Sequence, residues 1–117
     1  MLPATAHDAP CVTGCTRVHS YTADGTRWCW QGAVRGRAAI DAEVSTVAPP
    51  PHLAARARDV DDFWVEWTRL EVVAKLTDTP VLALLARHGL PTPVPEGIDL
   101  GHVRRGDTLV CQGRWAS

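Results

Sequence analysis

A chain of 117 residues with a formal net charge of −1 has room for one hydrophobic core and none for a second. Apolar residues make up 45% and charged residues 21%, so a core can form without metal or disulfide support, and the overall charge does not mark a nucleic-acid binder. No apolar run approaches the roughly 20 residues of a membrane span, and residues 1–8 carry neither the basic nor the apolar region of a secretory signal. A cytoplasmic location without membrane contact is therefore expected, and there the four cysteines are expected as thiols rather than bridges.

Proline runs at Pro49-Pro50-Pro51 and across Pro91-Thr92-Pro93-Val94-Pro95 divide a single domain, 1–117, into N-terminal strands (1–48), a helical middle (51–90) and a C-terminal hairpin (98–117). Segments 17–22 and 26–34 flank Asp24-Gly25, a dipeptide suited to a hairpin turn, and a third strand is predicted over 40–47. Alternation puts Trp28, Trp30 and Val34 on one face with Ile40, Ala42, Val44 and Thr46. Arg27, Cys29, Gln31 and Arg35 fall on the other with Asp41, Glu43 and Ser45, a charged face expected to meet solvent.

In the middle, Pro51 suits a first helical turn and Asp59 a cap for the segment that runs to Leu76. Val60, Phe63, Trp64, Trp67, Leu70 and Ala74 form one stripe at helical spacing, and Val65, Val72 and Leu76 form a second. A shorter helix follows, with Thr79 as cap, Pro80 in its first turn, Gly89 just past its end and Pro91 forbidding continuation. Val81, Leu82, Leu84 and Leu85 make it apolar almost all round, which predicts burial. Strands over 98–104 and 108–115, joined at Arg105-Gly106-Asp107, complete the chain. The fold class expected is α+β: an antiparallel sheet of about five strands packed on a long helix and a second, short buried helix. The second apolar stripe and the apolar short helix exceed what one sheet covers, and so predict a homodimer.

The residue most out of place is Glu71, which on a helical wheel falls inside the apolar stripe beside Val60, Trp64 and Trp67. Burying a carboxylate is costly, so it must find a partner or a raised pKa. Read functionally, Glu71 is a general base or substrate anchor in an aromatic-walled pocket; read structurally, it is an ion pair with Lys75 one turn on, or with an arginine of the sheet. His102, near the last turn, offers a group that titrates near neutrality on a rigid strand end. Glu71 and His102 are thus the catalytic candidates, with Arg27, Trp28, Trp64 and Trp67 as candidate substrate contacts. His7, Cys11, Cys15 and His19 recur at a spacing of four and form a possible zinc set, but Pro10 and Gly14 interrupt a helix there, and no metal site is assigned. Glycine-rich phosphate loops, the serine-hydrolase elbow and the zinc-deaminase motif are absent.

In its size, its arginine and alanine bias, its five tryptophans and its lack of cofactor motifs, the chain resembles the small lysinoalanine-forming proteins of cinnamycin and duramycin biosynthesis. The resemblance rests on overall character and transfers no residue. It implies a cofactor-free homodimer that binds a modified lanthipeptide and promotes addition of a lysine amine to a dehydroalanine. An aromatic cleft, orientation of the peptide and one proton-handling group would meet that chemistry. The rival class is a binding module without catalysis, either OB-like for nucleic acid or a partner, or stabilised by zinc. Three strands, a helical insertion and two strands are the OB element order. Neutral charge and inward-facing tryptophans count against nucleic acid.

Overall fold

A computed structural model describes residues 18–23, 25–30, 33, 36–57 and 60–116. Strands β1 (Val18–Tyr21) and β2 (Arg27–Trp30) pair antiparallel from Val18↔Trp30 to Tyr21↔Arg27. Their turn is closed by Thr22 N–H donating to the Thr26 carbonyl at 2.9 Å, with Gly25 at a φ of 88° that a side chain would resist. Strand β3 (Ala38–Val44) leads into a single helical turn, α1 (Pro51–Ala54), and then α2 (Phe63–Leu76), α3 (Val81–His88), β4 (Ile98–Arg105) and β5 (Thr108–Trp115).

The five strands among the described residues form two sheets, not one: the β1–β2 hairpin and a three-stranded sheet in the order β3–β5–β4. Both pairings in the larger sheet are antiparallel, so β3 and β4 run parallel, with the helices as their crossover and β5 between them. Strand order therefore follows the OB sequence of elements without placing all five in one sheet.

Each face of the larger sheet is covered. On one, Ile40, Ala42 and Val110 pack against Val18, Trp28 and Trp30 of the hairpin, as alternation predicts. On the other, Val72 and Leu76 of α2 pack on Ala39, Ile98 and Cys111. Gly113 permits that approach, because a Cβ there would lie 2.5 Å from both Val72 Cγ1 and Leu100 Cδ2. The outer flank of α2 holds a third cluster, in which Trp67, Leu70 and Val73 meet Leu84 and Leu85 of α3 and Leu90 beyond it.

Helix boundaries have local causes. Asp62, rather than Asp59, caps α2, accepting from the N–H groups of Trp64 (3.0 Å) and Val65 (3.3 Å); Asp59 lies outside the described residues. Arg104 holds the same carboxylate at 2.8 Å. Pro80, rather than Thr79, precedes the first residue of α3, while Thr79 Oγ1 bonds to the Thr77 carbonyl. Gly89, at a φ of 67°, ends α3 by donating its N–H to the Leu85 carbonyl, as its place in the sequence predicts.

Four expectations need correction. The face of β3 that bears Asp41 and Glu43 is not solvated; it lies under α2. The strip of Val72 and Leu76 is the surface with which α2 covers the sheet, so it gives no reason for a second copy. Helix α3 is only half covered: Leu84 and Leu85 are buried, but Leu82 is 65% exposed. Cys29 is disulfide-bonded, with its partner outside the described residues, whereas Cys111 is a buried free thiol, so the expectation of thiols rather than bridges fails at Cys29 and holds at Cys111. His7, Cys11, Cys15, Asp24, Gln31, Val34 and Arg35 also lie outside the described residues. Among the described residues, no helix is long and apolar enough to cross a membrane.

Candidate functional site

Alternation along β3 sends Ala39, Asp41 and Glu43 toward α2, which brings Lys75 to 3.9 Å from Asp41 and Glu71 near enough for its charge to act on both acids of the strand. The result is a group of three carboxylates and one ammonium between strand and helix. Asp41 is 6% exposed; Glu43 and Glu71 are half-buried. Lys75 Nζ donates to the Ile40 carbonyl at 2.7 Å and stands 3.9 Å from Asp41 Oδ1. It thereby caps the outer edge of β3, where Ala42 N–H also donates to Ser20 Oγ at 3.4 Å.

The partners of each acid are unevenly distributed over its oxygens. Ser20 Oγ donates to Asp41 Oδ1 at 3.4 Å, on the oxygen that faces Lys75, whereas the buried Oδ2 has no hydrogen-bond partner. Trp67 Nε1 donates to Glu43 Oε2 at 3.1 Å. Among the described residues Glu71 makes neither a hydrogen bond nor an ion pair, because the lysine one turn on is committed to β3. The Glu71–Lys75 ion pair expected as the structural alternative is therefore not formed.

The electrostatics follow from this crowding. Burial first, and the neighbouring Glu43 charge second, push Asp41 up to about 8, with Lys75 opposing. An ammonium at this distance supplies roughly 4 kcal/mol of attraction at an effective dielectric of 20. Loss of solvent and the two other carboxylates outweigh it. Burial likewise raises Glu43, where the Trp67 hydrogen bond opposes, and Glu71, where Lys75 opposes. Three acids and one lysine leave the site short of positive charge. Among the described residues no three acidic, histidine or cysteine side chains are grouped so as to hold a metal ion, so a cation there would require these acids to move together. Glu71, Lys75, Asp78 and Thr79 line a cavity of about 380 Å³, and Lys75 also borders one of about 300 Å³ with His19, Gly36 and Ile40.

The other sequence candidates lie elsewhere. His102 stands on β4, opposite Cys111, which is itself opposite Asp41. Two strand spacings separate His102 from Asp41 by about 10 Å. It is held under α2, 3.0 Å from Thr68 Oγ1, and burial with Arg69 nearby lowers its pKa. Cys111 between them is no nucleophile: burial and Asp41 push its thiol up to about 12. Trp28 packs with Ile40 and Ala42 on the opposite face of the sheet, so it cannot reach Glu71. Arg27 lies over the Tyr21 ring at 4.7 Å on the hairpin. Trp64 turns its Nε1 to the Val47 carbonyl at 2.9 Å and stacks edge-on with Phe63, leaving Trp67 as the aromatic residue bonded to the acid group.

Asp41, Glu43, Ser20 and Lys75 are the site residues that sequence reasoning missed. Their signal was the register of β5: Leu109 and Cys111 are apolar and share a face with Glu43 and Asp41, which marks that face as the covered one. Comparison of the chain with protein-family models, with curated proteins and with solved structures yields no match.

Proposed function

We propose that the chain binds a hard divalent cation of the magnesium class between Asp41, Glu43 and Glu71, and uses it with Lys75 to hold an oxyanion-bearing substrate for phosphoryl-type transfer or hydrolysis. One observation carries this reading: the buried Asp41 Oδ2 has no hydrogen-bond partner, while the Glu43 and Glu71 charges both act on Asp41 and, of the described charges, only Lys75 opposes them. Carboxylate oxygens are the ligands that magnesium prefers, and a site of few protein ligands completed by substrate oxygens is its usual arrangement. Asp41, held by Ser20 and burial, would supply one oxygen, and the half-buried Glu43 and Glu71 would supply the others. The cavities on either side of Lys75 give a substrate anion access to its ammonium. The reading is tested by calorimetric titration with MgCl2 and MnCl2. Wild-type protein is expected to show a single saturable site that Asp41→Asn and Glu71→Gln each abolish; no heat of binding in folded wild-type protein overturns the reading.

The cofactor-free peptide tailoring implied by the resemblance is a second reading, and Glu71 favours it. A carboxylate without a partner, raised by burial, suits a base that accepts a proton from a substrate lysine. Chelation separates the two, since turnover of a dehydroalanine peptide that survives a chelator and fails in Glu71→Gln supports tailoring over cation chemistry.

A further inference from the structure

We infer that two hollows at the C-terminal end of α3 form one docking groove for an acidic peptide segment that carries an aliphatic side chain. The groove lies apart from the acid group and shares no residue with it. One hollow, of about 310 Å³, lies between the end of α1 and the end of α3 and is lined by Arg56, Arg87 and His88. The other, of about 270 Å³, borders the same Arg87 and His88 and is walled by Val73, Leu84 and Val94. Backbone contacts build the junction. Leu90 N–H donates to the Arg56 carbonyl at 3.1 Å, Ala57 forms a bridge with Leu90, and a Cβ on Gly89 would lie 3.4 Å from that same carbonyl. Two arginines from separate elements are thereby held on one cavity.

Arg56 and Arg87 are exposed, and among the described residues neither makes a hydrogen bond or an ion pair. Arg69 and Arg104, by contrast, are held by Glu66 and Asp62. Among the described residues no acid lines either hollow. A helix C-terminus attracts cations, which accounts for Arg87 and His88 on α3 but not for Arg56 at the same hollow. Guanidinium forks match carboxylates, which they bind through two parallel hydrogen bonds. Leu85 and Leu90 line the first hollow, and Val94, 38% exposed, lines the second; these supply aliphatic contact that a small inorganic anion does not need. Neither hollow has an aromatic wall among the described residues on which a base could stack, so the chemistry favours a peptide over single-stranded nucleic acid.

The probe is the peptide Glu-Glu-Leu-Glu-Glu, titrated into the full chain at low salt and followed by amide 1H–15N shifts. Saturable shifts are expected at Arg56 and across 87–90. Arg56→Gln and Arg87→Gln should each weaken binding by about 3- to 5-fold, the scale of an exposed charge pair, and the double variant by about the product. Both side chains are exposed, so these variants keep the fold. Arg114→Gln is the matched control: it removes an arginine from β5, outside both hollows and likewise unpaired among the described residues, and affinity should be unchanged. Equal binding of Gln-Gln-Leu-Gln-Gln, or an equal loss in Arg114→Gln, overturns recognition of carboxylates by this pair. An oligothymidine that displaces the peptide from these residues makes the groove a nucleic-acid site and overturns the peptide assignment. Absence of a saturable shift at Arg56 and 87–90 in folded wild-type protein overturns the docking groove altogether.

Discussion

The two faces of the β3–β5–β4 sheet are covered by different means. Toward the hairpin, β3 offers Ile40 and Ala42, and the cover is two tryptophans and a valine, a layer built of apolar volume. Toward α2, the same strand offers Asp41 and Glu43 between residues of an otherwise apolar contact, and the helix adds Glu71 and Lys75. Adjacent residues of one strand thus serve opposite ends: alternate side chains supply cohesion on one side and concentrate like charge on the other. The second side would destabilise the fold if the first did not offset it, which is the pattern expected where a site is held ready for a ligand.

That contrast is most directly broken on the hairpin side. Trp30 is 2% exposed, and Trp30→Ala should cost about 3–5 kcal/mol in denaturant unfolding, since cavity and transfer terms add. Cation affinity of the fraction that remains folded should not change, because the ring faces away from Asp41. A large change in affinity would mean that the two faces are coupled. The helix side has its own packing limit at Gly113, where Gly113→Ala pushes a methyl against Val72 and Leu100. Overpacking of this kind costs about 1–3 kcal/mol, and because it lifts α2 from the sheet it should also weaken cation binding.

How far the sequence revealed this depends on which question alternation can answer. It says which residues share a face, and Trp28, Trp30, Ile40 and Ala42 do so as expected. It does not say which face a helix will cover. Asp41 and Glu43 read as solvated because charge usually marks the wet side, yet β5 places Leu109 and Cys111 on that side and α2 buries it. Glu71 was legible because its misplacement is internal to one helix and needs no tertiary knowledge. Lys75 was visible as its neighbour at i+4, but the choice between Glu71 and an edge carbonyl of β3 is made only when helix and strand meet. His102, Trp28 and Arg27 were grouped with Glu71 on residue type alone, and the topology separates them.

Neutralising the acid group should act in the opposite direction to the packing variants. The folded-state pKa of Asp41, about 8, lies above its ordinary 3.8, so between those values the folded protein holds a proton that the unfolded chain has released. Stability of the cation-free protein therefore falls as pH rises from about 4 to about 8 and levels off above that. Asp41→Asn should remove this slope and raise Tm at pH 8 by about 5 °C, a gain on the order of 1 kcal/mol, while abolishing Mg2+ stabilisation. A lower Tm in the variant would show that the carboxylate is net stabilising, through Ser20 and Lys75, and would weaken the contrast between the faces.

The smallest effect is expected at His102, which shares the helix side but not the acid group. Its pKa is lowered, first by burial and then by Arg69 and Arg104, with the Val65 backbone and Asp62 opposing. The unfolded chain thus takes up a proton near 6.5 that the folded protein accepts only at lower pH. Stability from this residue is present above that value and is lost as pH falls through the folded pKa, the reverse of the Asp41 slope. Where the two one-proton slopes overlap, below about 6.5, they cancel, so the cation-free protein should show a plateau there and a fall in stability from about 6.5 to about 8. Thr68→Val deletes the hydroxyl 3.0 Å from His102 Nε2 in a fully buried position and should cost about 1 kcal/mol. His102→Gln should replace the plateau below about 6.5 with a continuous fall as pH rises, and leave Mg2+ affinity unchanged, since about 10 Å of sheet lies between His102 and Asp41. Thermal melts from pH 5 to pH 9 with and without Mg2+ read both variants. Loss of Mg2+ stabilisation in His102→Gln would return this histidine to the site and would mean that the functional surface extends across all three strands.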